Sequence, residues 1–357
     1  MSLAELTVEN LRCIEKAELG FGRGTQLILG ANGAGKTSLL EAIFLLGRGR
    51  SFRTRVNERL IRHGQTAARA VGAARAEPQN RRIGIEIRRG GDEKGSTLSR
   101  LDGQDTRSFA ELAVAFPVQV MDPDAHKLIE ESAARRRRWL DWAVFHVEQP
   151  FVGTWSRYQR ALQQRNAALR AGRGEFRIWD PEMARDGEAM TAARERVAAS
   201  LVPYWADLSA ELTGIDISLT FQPGWDRQAE LAVALAASAA RDQERRSTQT
   251  GPHRADVVLK VRGKPAREVL SRGQQKLAAV ALNLCQLEYL AREFGLHPTV
   301  LMDDPSAELD RQRLTTFIAR VERLETQIIV TALDRDTRLF EAPEHVFHVE
   351  QGRVIRV

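Results

Sequence analysis

The chain has little cysteine: among its 357 residues only Cys13 and Cys285 carry thiols, and no CxxC pair occurs. That scarcity excludes a disulfide scaffold and argues against structural zinc. It fits a reducing compartment, so a cytoplasmic location is the expectation. Long apolar runs are missing too. No stretch approaches the roughly 18 uninterrupted apolar residues of a membrane span, and the Met-Ser-Leu-Ala-Glu-Leu start has neither a basic flank nor an apolar core. Neither a membrane span nor a signal peptide is expected, and no membrane partner. Helix-turn-helix, zinc-finger and RNA-binding signatures are also absent.

What is there has the composition of a soluble folded protein, 43% hydrophobic and 28% charged, with length for about two domains. Lys and Arg number 53 against 47 for Asp and Glu, a formal net charge of +6. Such a surplus permits an acidic polymer as partner without requiring one.

The strongest local signal is Gly30-Ala-Asn-Gly-Ala-Gly-Lys-Thr37, followed by Ser38, which fits the phosphate-binding pattern GxxxxGK[ST]. Gly30, Gly33 and Gly35 let the backbone curl so that the N–H groups of Ala31, Asn32, Ala34 and their neighbours face phosphates. Lys36 supplies charge, and the Thr37 hydroxyl is placed to ligate Mg²⁺. Leu27, Ile28 and Leu29 precede the loop as a strand. Leu39, Leu40, Ala42, Ile43, Leu45 and Leu46 follow it at helical spacing. The expected cofactors are ATP and Mg²⁺.

Strands are expected over 3–8 and 13–21, then near 67–73, 83–88 and 97–101, giving an antiparallel β layer that ends with Phe116 to Pro123. Between them lies Gly47-Arg-Gly-Arg-Ser-Phe-Arg-Thr-Arg55. Arg48, Arg50, Arg53 and Arg55 on this loop fit contact with the phosphates of a nucleotide or a nucleic acid, and equally a solvated basic loop. From about 124 the period turns helical. Arg135, Arg136, Arg137 and Arg138 abut Trp139, Leu140 and Trp142, a pattern that suits either a DNA backbone or Arg stems laid over apolar surface. Amphipathic helices continue, with Pro203 expected to break or kink the run between 184–202 and 204–213. Short strands return near 250, so the helical stretch reads as an insertion into one nucleotide-binding domain: 1–115, an inserted arm 116–250, and 251–357. The chain closes with a hairpin about Gln351-Gly352.

The strand Pro298-Thr-Val-Leu-Met ends in Asp303-Asp304. Paired acids beside an apolar sheet are costly unless a cation or a reaction uses them. Beside a phosphate loop the economical assignment gives Asp303 to Mg²⁺ and Asp304 to the hydrolytic water.

Leu270-Ser-Arg-Gly-Gln274 resembles the LSxGQ signature of the ATP-binding-cassette ATPase superfamily. The resemblance implies an α/β ATPase head with an attached antiparallel β layer and an inserted helical arm. It also implies that Leu270, Ser271, Arg272, Gly273 and Gln274 serve the γ-phosphate bound by a second subunit, in an ATP-dependent homodimer. Within that superfamily the chain resembles the bacterial RecF family over essentially its whole length. The carrying segments are Leu6 to Arg12, the phosphate loop, Gly47 to Arg53, Arg136-Arg-Arg-Trp-Leu-Asp-Trp142, Gln164-Arg-Asn-Ala-Ala-Leu169, Gly251-Pro-His-Arg254, the signature, and Asp303 to Asp310.

By that resemblance Gln119 is a Q-loop glutamine sensing Mg²⁺ and γ-phosphate, and Arg12 and Asn32 lie near the nucleotide. Ser306, Ala307, Glu308, Leu309 and Asp310 form a D-loop across the dimer interface. The implied function is ATP-dependent binding of duplex, gapped or single-stranded DNA in repair, recombination, replication recovery and the SOS response, with recombination mediators such as RecR as partners. Three departures from the superfamily pattern imply slow turnover and a switch: Thr331-Ala332 where a histidine is usual, Asp304 for glutamate, and Pro305 for an aromatic. The motor head of a chromosome-organising or nuclease complex is the alternative, but heptad coiled coils and a CxxC hook are missing. A transporter ATPase is the weaker one, given roughly 235 residues between the phosphate loop and Ser271. A scaffold that keeps its nucleotide only for stability is the third.

Overall fold

Alternating burial sets the first elements. β1 (Ser2–Leu11) and β2 (Ile14–Gly20) pair antiparallel about Arg12-Cys13, and β3 (Thr25–Leu29) leads into α1 (Lys36–Arg48). Next come β4 (Ala67–Arg75), β5 (Arg81–Arg88), β6 (Ser96–Leu101), β7 (Gln104–Thr106), α2 (Phe109–Ala115) and β8 (Val118–Met121). The helical stretch holds α3 (Lys127–Glu130), α4 (Ala133–Val147), α5 (Phe151–Arg170), α6 (Asp180–Thr213) and, after β9 (Ser218–Gln222), α7 (Leu231–Arg245). Then follow β10 (Asp256–Val261), β11 (Lys264–Pro265), α8 (Ala266–Val269) and the long α9 (Arg272–Phe294). The remainder is β12 (Thr299–Met302), α10 (Arg311–Glu322), β13 (Ile328–Ala332) and the hairpin of β14 (His345–Glu350) and β15 (Arg353–Arg356). This computed structural model describes all residues except 77–78, 91–94, 107–108, 122–123, 173, 308–310 and 334–342.

The chain divides into two units, Met1–Ala125 with Leu290–Val357, and His126–Tyr289. In the first, an antiparallel sheet of order β2-β1-β4-β5-β6-β7 faces a mainly parallel sheet of order β15-β14-β3-β13-β12-β8. α1 packs in the core between them: Leu39, Leu40, Ala42, Ile43, Leu45 and Leu46 have essentially no exposure, as befits a helix apolar on nearly every side. Ile83, Ile85 and Ile87 of β5 show the strand counterpart, every second residue turned into the same core. Buried Gln327 pins the sheets together. It accepts from the Leu3 amide at 2.8 Å and donates to the carbonyls of Leu3 at 2.8 Å and Gly22 at 2.6 Å.

The second unit is built on α4, α5 and α6 with the small sheet β11-β10-β9. Its interior is unusually ionic. Arg165, fully buried, donates to Asp180 and Asp242 at 2.7 Å each, and Arg194 grips Asp141 at 2.7 and 2.9 Å while donating to the Pro252 carbonyl at 2.7 Å. Tyr158 meets His253 at 2.7 Å. Burial pushes the His253 pKa down to about 4 and the Tyr158 hydroxyl up, so both are neutral near pH 7. Three of the segments that carry the resemblance, around Asp141, Arg165 and His253, thus converge on one polar network inside this unit.

Three expectations are corrected here. Of the break or kink expected at Pro203, the break does not occur: α6 runs for 34 residues with Pro203 inside it. Proline removes one backbone bond, but Val197, Leu201, Trp205 and Leu208 on either side are buried and hold the helix through the gap. β8 does not belong to the antiparallel layer. It pairs parallel with β12, Val118 opposite Thr299, and forms an edge of the other sheet. The boundaries 116 and 250 therefore differ from the observed 125/126 and 289/290, and residues 251–289 pack with the helices.

Candidate nucleotide site

The parallel strands β3, β12 and β13 end on the same side, and the loops at their carboxyl ends are where such a sheet binds ligands. β3 runs into Gly30–Gly35, and α1 begins at Lys36 with Gly35 as its N-cap at φ 118°. A side chain cannot sit there. A Cβ on Gly35 would lie 2.8 Å from the Cys13 thiol, and one on Gly30, at φ 156°, would lie 2.3 Å from the Val349 carbonyl. Ala31, Asn32 and Gly33 are exposed at the tip, while Ala34, Gly35, Lys36 and Ser38 are buried at its base. The result is a set of backbone amides at a helix N-terminus, an anion site by dipole and by geometry.

Charge is concentrated around it. The Lys36 ammonium curls back to donate to the carbonyls of Gly30 at 2.6 Å and Ala31 at 3.0 Å. Burial pulls its pKa below the ordinary value, and the nearby carboxylates of Asp304 and Asp303 oppose that shift. Thr37 donates to Asp303, whose oxygens lie at 2.9 and 3.0 Å, although 266 residues separate the two in sequence. Thr331 of β13 donates to the same carboxylate at 2.9 Å, and its oxygen accepts from the Asp304 amide at 2.9 Å. Burial pushes the Asp303 carboxyl above its usual range, while Thr331, Thr37 and Arg53 act in the other direction. A desolvated carboxylate of this kind gains from a cation. Asp304 stands at φ 46° and accepts from Ser306 at 3.0 Å in the turn Pro305–Ala307. Glu308, Leu309 and Asp310 lie outside the described residues.

A threonine hydroxyl and one carboxylate are hard oxygen donors, the type Mg²⁺ prefers, whereas Gln119 sits opposite Val300 on β8 and its amide oxygen accepts from Arg48. Mg²⁺ also commonly takes only one or two protein oxygens beside nucleotide phosphates. Among the described residues no cluster of three or more His, Cys, Asp or Glu forms a metal cage of its own. The donors present fit the ion expected with a nucleotide.

Two residues of this neighbourhood escaped the sequence reading. Glu41, wholly buried on α1 one turn beyond Thr37, accepts from Arg12 at two points of 3.0 Å and from the Ser51 hydroxyl at 2.5 Å, with Arg53 at 3.8 Å. It ties the β1–β2 turn and the 47–55 loop to the phosphate-loop helix. An acid inside the run Leu39-Leu-Glu-Ala-Ile43 was the available signal. Thr331 entered only as the place where a histidine is missing, and its hydroxyl in fact holds Asp303.

The arginines separate into two groups. Arg48 points inward, donating to the Val118 carbonyl at 3.3 Å and Gln119 at 3.0 Å. Arg136 forms a two-point pair with Asp256 at 2.8 and 2.9 Å, Arg137 donates to the Ala255 carbonyl at 2.6 Å, and Arg135 meets Glu131 at 3.1 Å. Arg50, Arg53, Arg55 and Arg138 are exposed.

In the second unit the signature opens α9. The Ser271 hydroxyl accepts from the Gln274 amide at 3.3 Å while the Gln274 side chain accepts from the Ser271 amide at 2.9 Å, a reciprocal capping box. Leu270 is buried, and Ser271, Arg272 and Gly273 are exposed, so this helix N-terminus faces outward from its own unit.

The phosphate loop, the acid-tipped neighbouring strand and the mixed sheets define the head of a P-loop ATPase. The family described as the RecF/RecN/SMC N terminal domain matches residues 2–354. The chain is 40% identical over 370 residues to the DNA replication and repair protein RecF of Xanthomonas euvesicatoria, covering 100% of this chain and 99% of that one. It is 37% identical over 359 residues to the RecF of Shigella dysenteriae, covering 99% of each. A solved structure of the recombination mediator protein RecF with ATP, in the RecFOR pathway, superposes with a TM-score of 0.88 at 27% identity, over 100% of this chain and 97% of the other. An Smc head bound to a domain of ScpA shares the fold, with a TM-score of 0.62 at 16% identity. The chain belongs to the RecF family of DNA replication and repair proteins. No helix among the described residues is long and apolar enough to cross a membrane.

Proposed function

We propose that this protein binds Mg²⁺–ATP at Gly30–Ser38 and closes on it as a two-fold pair, each subunit lending its Ser271–Gln274 segment to the other's γ-phosphate. In that state it grips gapped or damaged duplex DNA and helps mediator proteins such as RecR load a strand-exchange protein. The observation that carries the reading is the meeting of Thr37 with Asp303 beside Lys36, joined to an exposed, capped signature helix that offers backbone amides outward. The ATP-bound relative that superposes over the whole chain supports it.

Thr37 and Asp303 would hold Mg²⁺, which neutralises phosphate charge when bound, and the resemblance alone adds Gln119 to them. Lys36 and the loop amides orient the phosphates, and Asp304 sits to hold a proton-bearing water near them. With Thr331 in place of a histidine, turnover is slow and the nucleotide acts as a switch. The DNA grip is mainly electrostatic. His126–Tyr289 carries 25 Lys and Arg against 20 Asp and Glu, most of the chain's surplus, and Arg50, Arg53, Arg55 and Arg138 are exposed.

Sedimentation with and without ATP tests the pairing. Wild type is expected to shift to a dimer with ATP and not with ADP. Ser271→Arg, which fills the outward helix terminus with a bulky cation, is expected to stay monomeric with ATP affinity within about threefold of wild type. A Ser271→Arg protein that dimerises normally with ATP would sink the composite site.

A further inference from the structure

β13 is buried along its whole length, and in Ile328-Ile-Val-Thr-Ala332 one side chain carries a hydroxyl. A hydroxyl with no exposure is costly unless it finds hydrogen-bond partners. Register supplies them. Val330 stands opposite Met302, the last residue of β12, and Thr331 stands opposite Ile28 of β3, so Thr331 lies one step beyond the end of the acid-tipped strand. From there its proton goes to Asp303 Oδ1 at 2.9 Å, and its oxygen accepts from the Asp304 amide at 2.9 Å. The Met302 carbonyl, at 3.5 Å, is the weaker acceptor for the same proton. Thr37 reaches the same carboxylate from α1, at 2.9 and 3.0 Å, but Thr37 is itself a candidate metal ligand.

We propose that Thr331 is a positioning residue of the metal site: its hydroxyl, aimed by the Asp304 amide, holds the Asp303 carboxylate facing Thr37 so that the two can meet Mg²⁺ together. The inference rests on the nucleotide reading above and adds to it a residue that acts through another. Donor and acceptor roles are linked in this hydroxyl. An amide pointing at one lone pair fixes the rotor, and a hydroxyl that accepts a hydrogen bond donates a stronger one. The amide is in turn held where Asp304 turns at φ 46°, a backbone conformation that a non-glycine residue keeps only with support. Without the hydroxyl, Asp303 loses the bond from β13 and keeps Thr37 alone of these two donors, so its carboxylate is free to turn. Removing an orienting bond from a metal-binding carboxylate typically costs about 10- to 100-fold in metal affinity.

The test is a Mg²⁺ titration of ATP binding, read by a fluorescent ATP analogue, on wild type, Thr331→Val, Thr331→Ala and Thr331→Ser, with a melting curve of each protein free of nucleotide. Thr331→Val keeps the branched shape and Thr331→Ala leaves space, but both remove the hydroxyl. Both are expected to raise the Mg²⁺ midpoint about 10- to 100-fold while ATP affinity in chelator stays within about threefold of wild type. Thr331→Ser, which keeps the hydroxyl and loses the methyl, should leave the midpoint within about threefold of wild type. A packing role predicts the reverse order, since Thr331→Val fills the site better than Thr331→Ser. A midpoint unmoved or lowered in both hydroxyl-free variants overturns the proposal even if they melt earlier, as does a Thr331→Ser protein as impaired as Thr331→Val. Wild type whose ATP binding ignores Mg²⁺ would instead overturn the assignment of Thr37 and Asp303 to the metal, and wild type that binds no ATP would overturn the nucleotide reading itself.

Discussion

Lys36→Met is expected to weaken ATP binding about 100-fold while leaving the fold intact. The ammonium is buried at the base of the phosphate loop, where its bonds go to the Gly30 and Ala31 carbonyls. Those carbonyls are weak partners for a desolvated cation, and a triphosphate is a strong one. Burial penalises the charged form here, so the ammonium gains more from an arriving anion than an exposed lysine would. Methionine keeps the length and apolar stem and removes the charge, which separates binding from stability. Calorimetry with ATP checks it, together with a melting curve. An affinity within about threefold of wild type would mean that loop amides alone hold the phosphates.

The second large effect is on stability, in the helical unit. Asp141→Ala is expected to destabilise that unit by about 3–5 kcal/mol. Arg194 is 2% exposed and gives two bonds to Asp141, so truncation leaves a guanidinium buried with only the Pro252 carbonyl and no counter-charge. Removing both charges should cost less than removing one, so Asp141→Leu/Arg194→Met should lie closer to wild type than Asp141→Ala. All six tryptophans fall between Trp139 and Trp225, so urea unfolding followed by tryptophan fluorescence reports this unit by itself. A double variant weaker than the single would show that the pair contributes packing rather than charge balance.

These two residues also mark what could be read in advance. Lys36 stands in a motif whose spacing dictates its own geometry, and local chemistry sufficed. The same holds for the closing hairpin, where Gln351 at φ 48° and Gly352 at φ 79° form the two-residue turn that the dipeptide suggested. The strands of the antiparallel sheet were legible because Ile83, Ile85 and Ile87 alternate. Glu41, Thr331 and Asp141 were not, because their partners lie far away in sequence: Arg12 for Glu41, Asp303 for Thr331, Arg194 for Asp141. A short apolar run such as Val118–Met121 shows a strand without showing which sheet takes it, since register and partner are tertiary facts. Pro203 shows the reverse case, a helix that the local rule would allow to break but that packing on both sides carries through. The basic run 135–138 divided because Asp256 and the Ala255 carbonyl, more than a hundred residues on, claim Arg136 and Arg137.

The central claim is that nucleotide gates the grip on DNA, and one measurement reaches it directly: affinity for a gapped duplex at fixed salt, with ATP, with ADP and with neither. The account predicts binding at least about tenfold tighter with ATP than in the other two conditions, and loss of that gain in Lys36→Met. Equal affinity in all three conditions, unchanged by Lys36→Met, would contradict it and leave the basic surface a passive docking feature.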